Sequence, residues 1–202
     1  MVRLALFKRN MTMDISRQSP APAPELAISQ WFNTAAPLTL AGLRGRPVLL
    51  HSFQLLCPGC VAQSIPQVQK IERVFADTDL QIIGLHTVFE HHAAMTPVTL
   101  EAFLHEYRIS HPVGVDLADE HSETPITMQR FRLRGTPSSI LIGRDGTIRH
   151  HVFGVEDDIV VGARIAMALA EKPSVTLSSP AEGESDDCLA GRCEMPETST
   201  GA

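Results

Sequence analysis

The sequence predicts an α/β domain with a mixed central sheet flanked by helices. Two patterns carry that reading. Apolar runs of strand length alternate with amphipathic helical stretches from about Glu25 to Glu171. The last two such runs flank Arg144-Asp145-Gly146, a hairpin turn signal, so an antiparallel pair closes the sheet. A stretch of about 150 residues suffices for one good core.

The elements follow in order. Pro47-Val48-Leu49-Leu50-His51-Ser52-Phe53 is a short apolar run and reads as a buried strand. A helix is expected from about Pro58 to Ala76, with Val61, Ile65, Val68, Ile71 and Phe75 on one stripe. Leu80 to Val88 is strand-like. Thr96 before Pro97 is a helix start, because proline is tolerated in the first turn. Leu100, Phe103, Leu104 and Tyr107 mark that helix's apolar face. Pro112 to Val115 is a short strand, and Thr124-Pro125 opens a short helix ending near Phe131. Ser139 to Ile142 and Thr147 to Phe153 form the hairpin. Glu156, Asp157 and Asp158 suit the positive end of a last helix, whose expected inner stripe is Ile159, Ala163, Ala166 and Met167.

The flanks differ from this core. Ser19-Pro20-Ala21-Pro22-Ala23-Pro24 reads as an extended linker, so residues 1–24 are expected to be a flexible arm. Residues 25–172 form the domain. Residues 173–202 are rich in Ser, Glu, Thr, Pro and Gly, which predicts a disordered acidic tail.

Composition narrows function. The 202-residue chain is 44% hydrophobic, which excludes a wholly disordered protein, and its net charge of −6 gives no basic footprint for nucleic acid. No apolar run approaches the ~18 residues of a membrane helix. Leu4-Ala5-Leu6-Phe7 is interrupted by Lys8 and Arg9, too short for a secretory signal, so a cytoplasmic location is expected. Cysteine pairs there point to catalysis or metal before structural bracing.

Cys57-Pro58-Gly59-Cys60 sits just after a strand and just before a helix. At a helix N-terminus, Cys57 faces unpaired backbone N–H groups and the positive end of the helix dipole. Both favour thiolate, so Cys57 is the expected nucleophile. Cys60, about one turn later, can attack a mixed disulfide formed at Cys57. Pro58 has no N–H to lose in the first turn, and Gly59 adds little bulk where a substrate approaches. Half of a zinc site and a pair of buried thiols are the competing readings; the strand–CxxC–helix setting favours redox chemistry.

From about Pro37 to Glu171 the chain resembles a thioredoxin-like domain of the redoxin group. That group includes TlpA-like thiol–disulfide oxidoreductases and the alkyl hydroperoxide reductase/thiol-specific antioxidant family. The resemblance rests on Leu38-Thr39-Leu40-Ala41-Gly42-Leu43-Arg44-Gly45-Arg46-Pro47, then an apolar strand, then CxxC, and later Gly135-Thr136-Pro137 before Ser138-Ser139-Ile140-Leu141-Ile142. It implies the thioredoxin fold, a cis Pro137 facing the cysteines, and a Thr136 backbone that hydrogen-bonds a substrate strand.

Two departures stand out. Where thioredoxin has an acidic residue six positions before the first cysteine, this chain has His51. His51 is either a proton shuttle for Cys60 or a hydrogen-bonded core histidine. Pro66 follows Cys60 by six residues where the group usually has five, which predicts a kink or local bulge.

Peroxide reduction is the nearest alternative activity. Peroxiredoxins resemble Pro-x-x-x-Thr-x-x-Cys at the reactive cysteine, whereas Gln54 and Leu50 stand at the matching positions here. A non-catalytic redox-sensing module is a third reading. No phosphate loop or nucleotide fingerprint occurs, so no cofactor is expected. Electrons then come from an upstream thiol reductant such as thioredoxin, a reductase or glutathione, and pass to a disulfide-containing protein or small molecule.

Cys188 and Cys193 form a second pair, four residues apart, with Gly191 to make the turn. The 17 residues from Glu171 to Cys188 give a root-mean-square span of roughly 23 Å. The domain's radius of gyration should be roughly 15 Å. The tail dithiol can therefore reach Cys57–Cys60, at an effective concentration on the order of millimolar. Exchange with the first pair, pairing with each other, and a zinc site built from both pairs are the readings. Among the histidines, Glu90-His91-His92 and His150-His151 lack chelating spacing, so no metal is expected; His86 and His105 read as packing or surface residues.

Overall fold

The computed structural model describes residues 21–172. The arm before Ala21 and the tail with Cys188 and Cys193 lie outside the described residues.

Six strands form one sheet in the order β1-β4-β3-β2-β5-β6. They are β1 Ile28–Phe32, β2 Val48–Phe53, β3 Gln81–His86, β4 Val113–Asp116, β5 Ser138–Ile142 and β6 Ile148–Phe153. β2 runs parallel to β3, and β3 to β4, while β1, β5 and β6 pair antiparallel. The sheet is mixed, as expected. Both parallel pairs are joined through helical crossovers, α1 Ile65–Val74 and α2 Pro97–Glu106. Helices α3 Ile126–Arg130 and α4 Asp158–Ala170 complete the layers.

β2 is central and buried along its whole length, which is why it reads as an unbroken apolar run. Leu50, with Ile83, Leu85 and Ile140 of its neighbours, packs on Met128 and Phe131 around α3. On the other face, Leu49 meets Val68, Ile71, Val161 and Ile165 of α1 and α4, and Phe53 packs with Cys60, Ile65, Leu100 and Leu104. His51 stands between Leu49 and Phe53 on this second face.

The helix after the cysteines runs from Pro58 to Val74, close to expectation, but it is not regular. Cys60–Ser64 is a π-helical turn, in which the Ile65 N–H reaches back to the Cys60 carbonyl. This turn absorbs the extra residue before Pro66, and Pro66 has no N–H that a regular helix would have to satisfy. The expected bulge is thus located just before the proline. Thr96 caps α2, accepting from the Thr99 N–H, and Asp157 caps α4, accepting from the Ile159 N–H.

Three expectations need correction. β1 carries no strand signal of its own in the sequence; it lies on a sheet edge, has a mixed burial pattern, and is held by pairing with the distant β4. In α4 the buried residues are Val161, Ile165 and Ala168, whereas Ile159 is 80% and Met167 72% exposed, and Ala163 and Ala166 are also exposed. The helix is apolar on nearly every side, so periodicity cannot choose its face. Val161, Ile165 and Ala168 pack with Leu49 of β2 and with Val68 and Ile71 of α1, and Asp158 at the helix start accepts from Gln67 (2.7 Å) and Lys70 (3.1 Å) of α1. Finally, contact with the domain begins before Glu25. Ile148 donates to the Ala21 carbonyl and Ala23 to the Gly146 carbonyl, both at 2.9 Å. Alternating alanine with proline keeps a usable N–H at Ala23, and the stretch docks beside the start of β6, the edge strand.

Asp116 ends β4 and is buried. Its carboxylate accepts from the N–H groups of Thr127 (2.8 Å) and Met128 (2.9 Å) at the start of α3, and from the Thr87 hydroxyl (2.9 Å). Burial pushes its carboxyl pKa up, against these hydrogen bonds. An amide at this position has only one accepting oxygen for donors on both sides. Asp116→Asn is expected to cost about 2 kcal/mol, read from the urea unfolding midpoint.

Candidate active site

The site is built where β2 ends and the π-turned helix begins. Cys57 and Cys60 form a disulfide, with Cα atoms 5.2 Å apart. Cys57 is half-buried, whereas Cys60 is wholly buried. The two sulfurs are therefore unequal: an incoming group can approach Cys57 but not Cys60. The Cys60 N–H points at the Cys57 sulfur, at 3.2 Å, and the N–H groups of Cys60 and Val61 also donate to the Cys57 carbonyl (3.0 and 3.1 Å). The Cys60 N–H is thus shared between the carbonyl and the sulfur of Cys57 at the start of a helix, an arrangement that favours thiolate.

The peptide between Thr136 and Pro137 is cis, as the resemblance implies. The Thr136 carbonyl oxygen lies 3.5 Å from the Cys57 sulfur. Gly59 faces Pro137 closely; a Cβ at Gly59 would sit 3.4 Å from the Pro137 ring. The structure thus brings together four of the residues singled out from the sequence: Cys57, Cys60, Thr136 and Pro137.

His51 is wholly buried on β2 and stacks on Phe53, with ring centroids 5.5 Å apart. Phe53 belongs to the same apolar cluster as Cys60. The His51 Nε2 lies 2.8 Å from Nε2 of His111, while its Nδ1 is buried with no partner. Burial, and then the neighbouring His111, holds its pKa well below the ordinary histidine value. His51 is therefore both a hydrogen-bonded core histidine and a neutral base at pH 7. His86 packs on the Phe53 ring too; burial lowers its pKa to about 4, and neither ring nitrogen has a partner.

Sequence reading missed three residues. Gln54 is buried, and its amide nitrogen lies 3.4 Å from both the Thr136 hydroxyl and the Glu90 carboxylate, bracing the loop opposite Cys57. His111 and Glu72 connect to His51. None has a local sequence signal beyond Gln54's place three residues before Cys57. The other histidines behave as expected or are ordinary: His105 is exposed, and His150 bonds Glu156 at 2.6 Å. Among the described residues no three metal-ligating side chains converge, and no helix is long and apolar enough to cross a membrane.

A central mixed sheet, a disulfide at the start of a helix, and a cis-proline loop facing it define a thioredoxin-fold dithiol protein. Comparison with known proteins agrees. The chain is 51% identical to a thioredoxin-like superfamily protein of known structure, covering 76% of this chain and 99% of that one, with a TM-score of 0.74. A thiol-disulfide isomerase from Corynebacterium glutamicum is 46% identical, covering 75% and 98%, with a TM-score of 0.71. Protein DipZ of Mycobacterium bovis is 30% identical over 185 residues, which is 90% of this chain. This chain spans only 26% of DipZ's length. No family model matches the chain. The chain belongs to the thioredoxin-like redoxin group of thiol–disulfide oxidoreductases.

Proposed function

We propose that this protein exchanges electrons with disulfides through Cys57 and Cys60. The observation that carries the reading is the inequality of the pair: a half-exposed Cys57 at the helix start, bonded to a wholly buried Cys60. The relative named as a thiol-disulfide isomerase supports exchange as the reaction class.

In the reduced protein the Cys57 thiolate attacks one sulfur of a substrate disulfide. A Cys57–substrate bond forms, and the other substrate sulfur leaves with the electron pair. Cys60, as thiolate, then attacks the Cys57 sulfur; the Cys57–Cys60 bond forms and the second substrate thiolate departs. The substrate gains two electrons and the protein loses two. An upstream thiol, from thioredoxin, a reductase or glutathione, reverses the change in the protein. Thr136 and Pro137 frame the groove, and the Thr136 backbone pairs with the substrate chain. A cytosolic setting, the expectation from the sequence, goes with a pair that rests reduced and acts as a reductant.

The tail pair Cys188 and Cys193 fits a relay that passes electrons between the upstream reductant and Cys57–Cys60. Turnover of a disulfide-bonded peptide by the full chain tests both parts. The intact protein is expected to turn over. Replacing both tail cysteines by serine is expected to slow turnover several-fold with at least one protein reductant. Equal rates with every reductant would remove the tail from the scheme; no turnover by the intact protein would remove the scheme.

A further inference from the structure

The outer side of α4 carries no charge. Every exposed residue from Ile159 to Ala170 is apolar: Ile159, Val160, Ala163, Ala166, Met167 and Ala170. Arg164 is half-buried and lies 3.8 Å from the Glu156 carboxylate. A surface helix ordinarily carries its charged residues on the side away from the core, and a helix that is apolar all round is ordinarily covered. The inner side of α4 already meets Leu49, Val68 and Ile71. Among the described residues nothing covers the outer side. Exposed Val74 and Val98 stand singly on other helices and need no such account.

Gly162 is a second anomaly on the same helix. Glycine in mid-helix weakens it relative to alanine. A Cβ at Gly162 would meet nothing within 4 Å, so packing within one chain gives no reason for a glycine there.

The pattern complements itself. Ile159, Ala163, Ala166 and Ala170 follow one another by four, three and four residues and form one stripe along the helix. A second copy can be set against it, end for end, about a two-fold axis level with the peptide between Arg164 and Ile165. Ile159 then lies opposite the partner's Ala170, and Ala163 opposite the partner's Ala166. Large meets small at both ends and small meets small in the middle, so the two backbones can approach closely. On one flank Val160 packs beside the partner's Met167. On the other, the partner's half-buried Leu169 fills the space beside Gly162. The same axis sets Asp157, exposed at the start of α4, level with the partner's Lys172, exposed just past its end. A parallel pair would instead oppose Asp157 to Asp157 and Lys172 to Lys172. Antiparallel helix dipoles also favour the first arrangement.

We propose that the outer face of α4 docks a second copy of this chain, the two protomers pairing antiparallel about a two-fold axis. The contact is isologous, so each apolar pair and each charge pair occurs twice. The 13 residues of α4 span about 20 Å. One helix face falls short of the ~800 Å² per partner of a standard interface. The pairing is therefore reversible and belongs to the micromolar range of affinity.

Sedimentation equilibrium of the full chain tests this, with Cys188→Ser and Cys193→Ser so that no disulfide can link two tails. A reversible monomer–dimer equilibrium is expected below about 500 μM. Ala163→Glu sets a carboxylate in the middle of the stripe and, by symmetry, buries two of them against apolar groups. It is expected to weaken the dimer at least tenfold, with an unchanged far-ultraviolet circular dichroism spectrum because residue 163 is exposed in the monomer. Met167→Glu should act in the same direction. Lys172→Gln gives the orientation: an antiparallel pair weakens a few-fold, whereas a parallel pair, relieved of like charges, tightens. A chain that stays monomeric throughout would overturn the proposal. So would a dimer that neither Ala163→Glu nor Met167→Glu weakens, or one that Lys172→Gln tightens. Nuclear Overhauser contacts between the Met167 methyl and Phe7 within one monomeric chain would give the face to the chain's own first segment, and overturn it too.

Discussion

Cys57→Ser is expected to lower disulfide exchange on the order of 10³-fold or more, with no rescue from Cys60. A hydroxyl at this position has no accessible anion at neutral pH, and the remaining sulfur, Cys60, is wholly buried. Cys60→Ser should behave differently. Cys57 still attacks, because its half-exposed sulfur and the N–H at residue 60 remain, but nothing displaces the bound substrate. A covalent adduct of protein plus substrate should accumulate, visible as one added mass that dithiothreitol removes. Stable adducts with Cys57→Ser and none with Cys60→Ser would reverse the roles of the two cysteines.

Acid should destabilise the fold in a window set by its buried neutral histidines. His86 has a folded pKa of about 4 and His51 one well below the ordinary value, against roughly 6.5 in the unfolded chain. Between these values the unfolded chain binds more protons than the folded one, so stability falls as pH drops from about 6.5 toward 4. Above pH 7 both states are neutral at these sites and the contribution is flat. His86 alone accounts for about 3 kcal/mol across the window. Replacing it by leucine, which suits its apolar surroundings beside Phe53 and leaves no orphaned nitrogen, should flatten that part of the curve. Urea unfolding at several pH values measures this. Equal acid losses in the parent and in His86→Leu would contradict it.

What was legible in the sequence was local. β2, the CxxC turn and the helix after it are contiguous, and each rests on residues within one or two turns of each other. The hairpin at Arg144-Asp145-Gly146 declares itself the same way: Asp145 accepts from the Thr147 N–H and hydroxyl, and Gly146 takes a positive φ of 75°. Even the π turn was foreshadowed by one extra residue before Pro66. The parts that escaped depend on distant partners. β1 needs β4, more than 80 residues away. The inner face of α4 is the one that meets Leu49, Val68 and Ile71, residues distant in the chain, because its own sequence is apolar on nearly every side. His51 could be singled out by its position before the cysteines, but its hydrogen-bond partner His111 stands 60 positions further along the chain, and Glu72, which contacts that histidine in turn, is 39 positions from it. Charge and spacing along the chain carry no trace of such a meeting.

The central claim is that Cys57 and Cys60 are a redox couple in use. The most direct measurement is a titration of the full chain in glutathione redox buffers, with its disulfides mapped by mass spectrometry at each potential. A single reversible two-electron transition assigned to Cys57–Cys60, with any intermediate linking one of them to Cys188 or Cys193, is the predicted result. A Cys57–Cys60 bond that neither forms nor breaks across the accessible range would contradict the account.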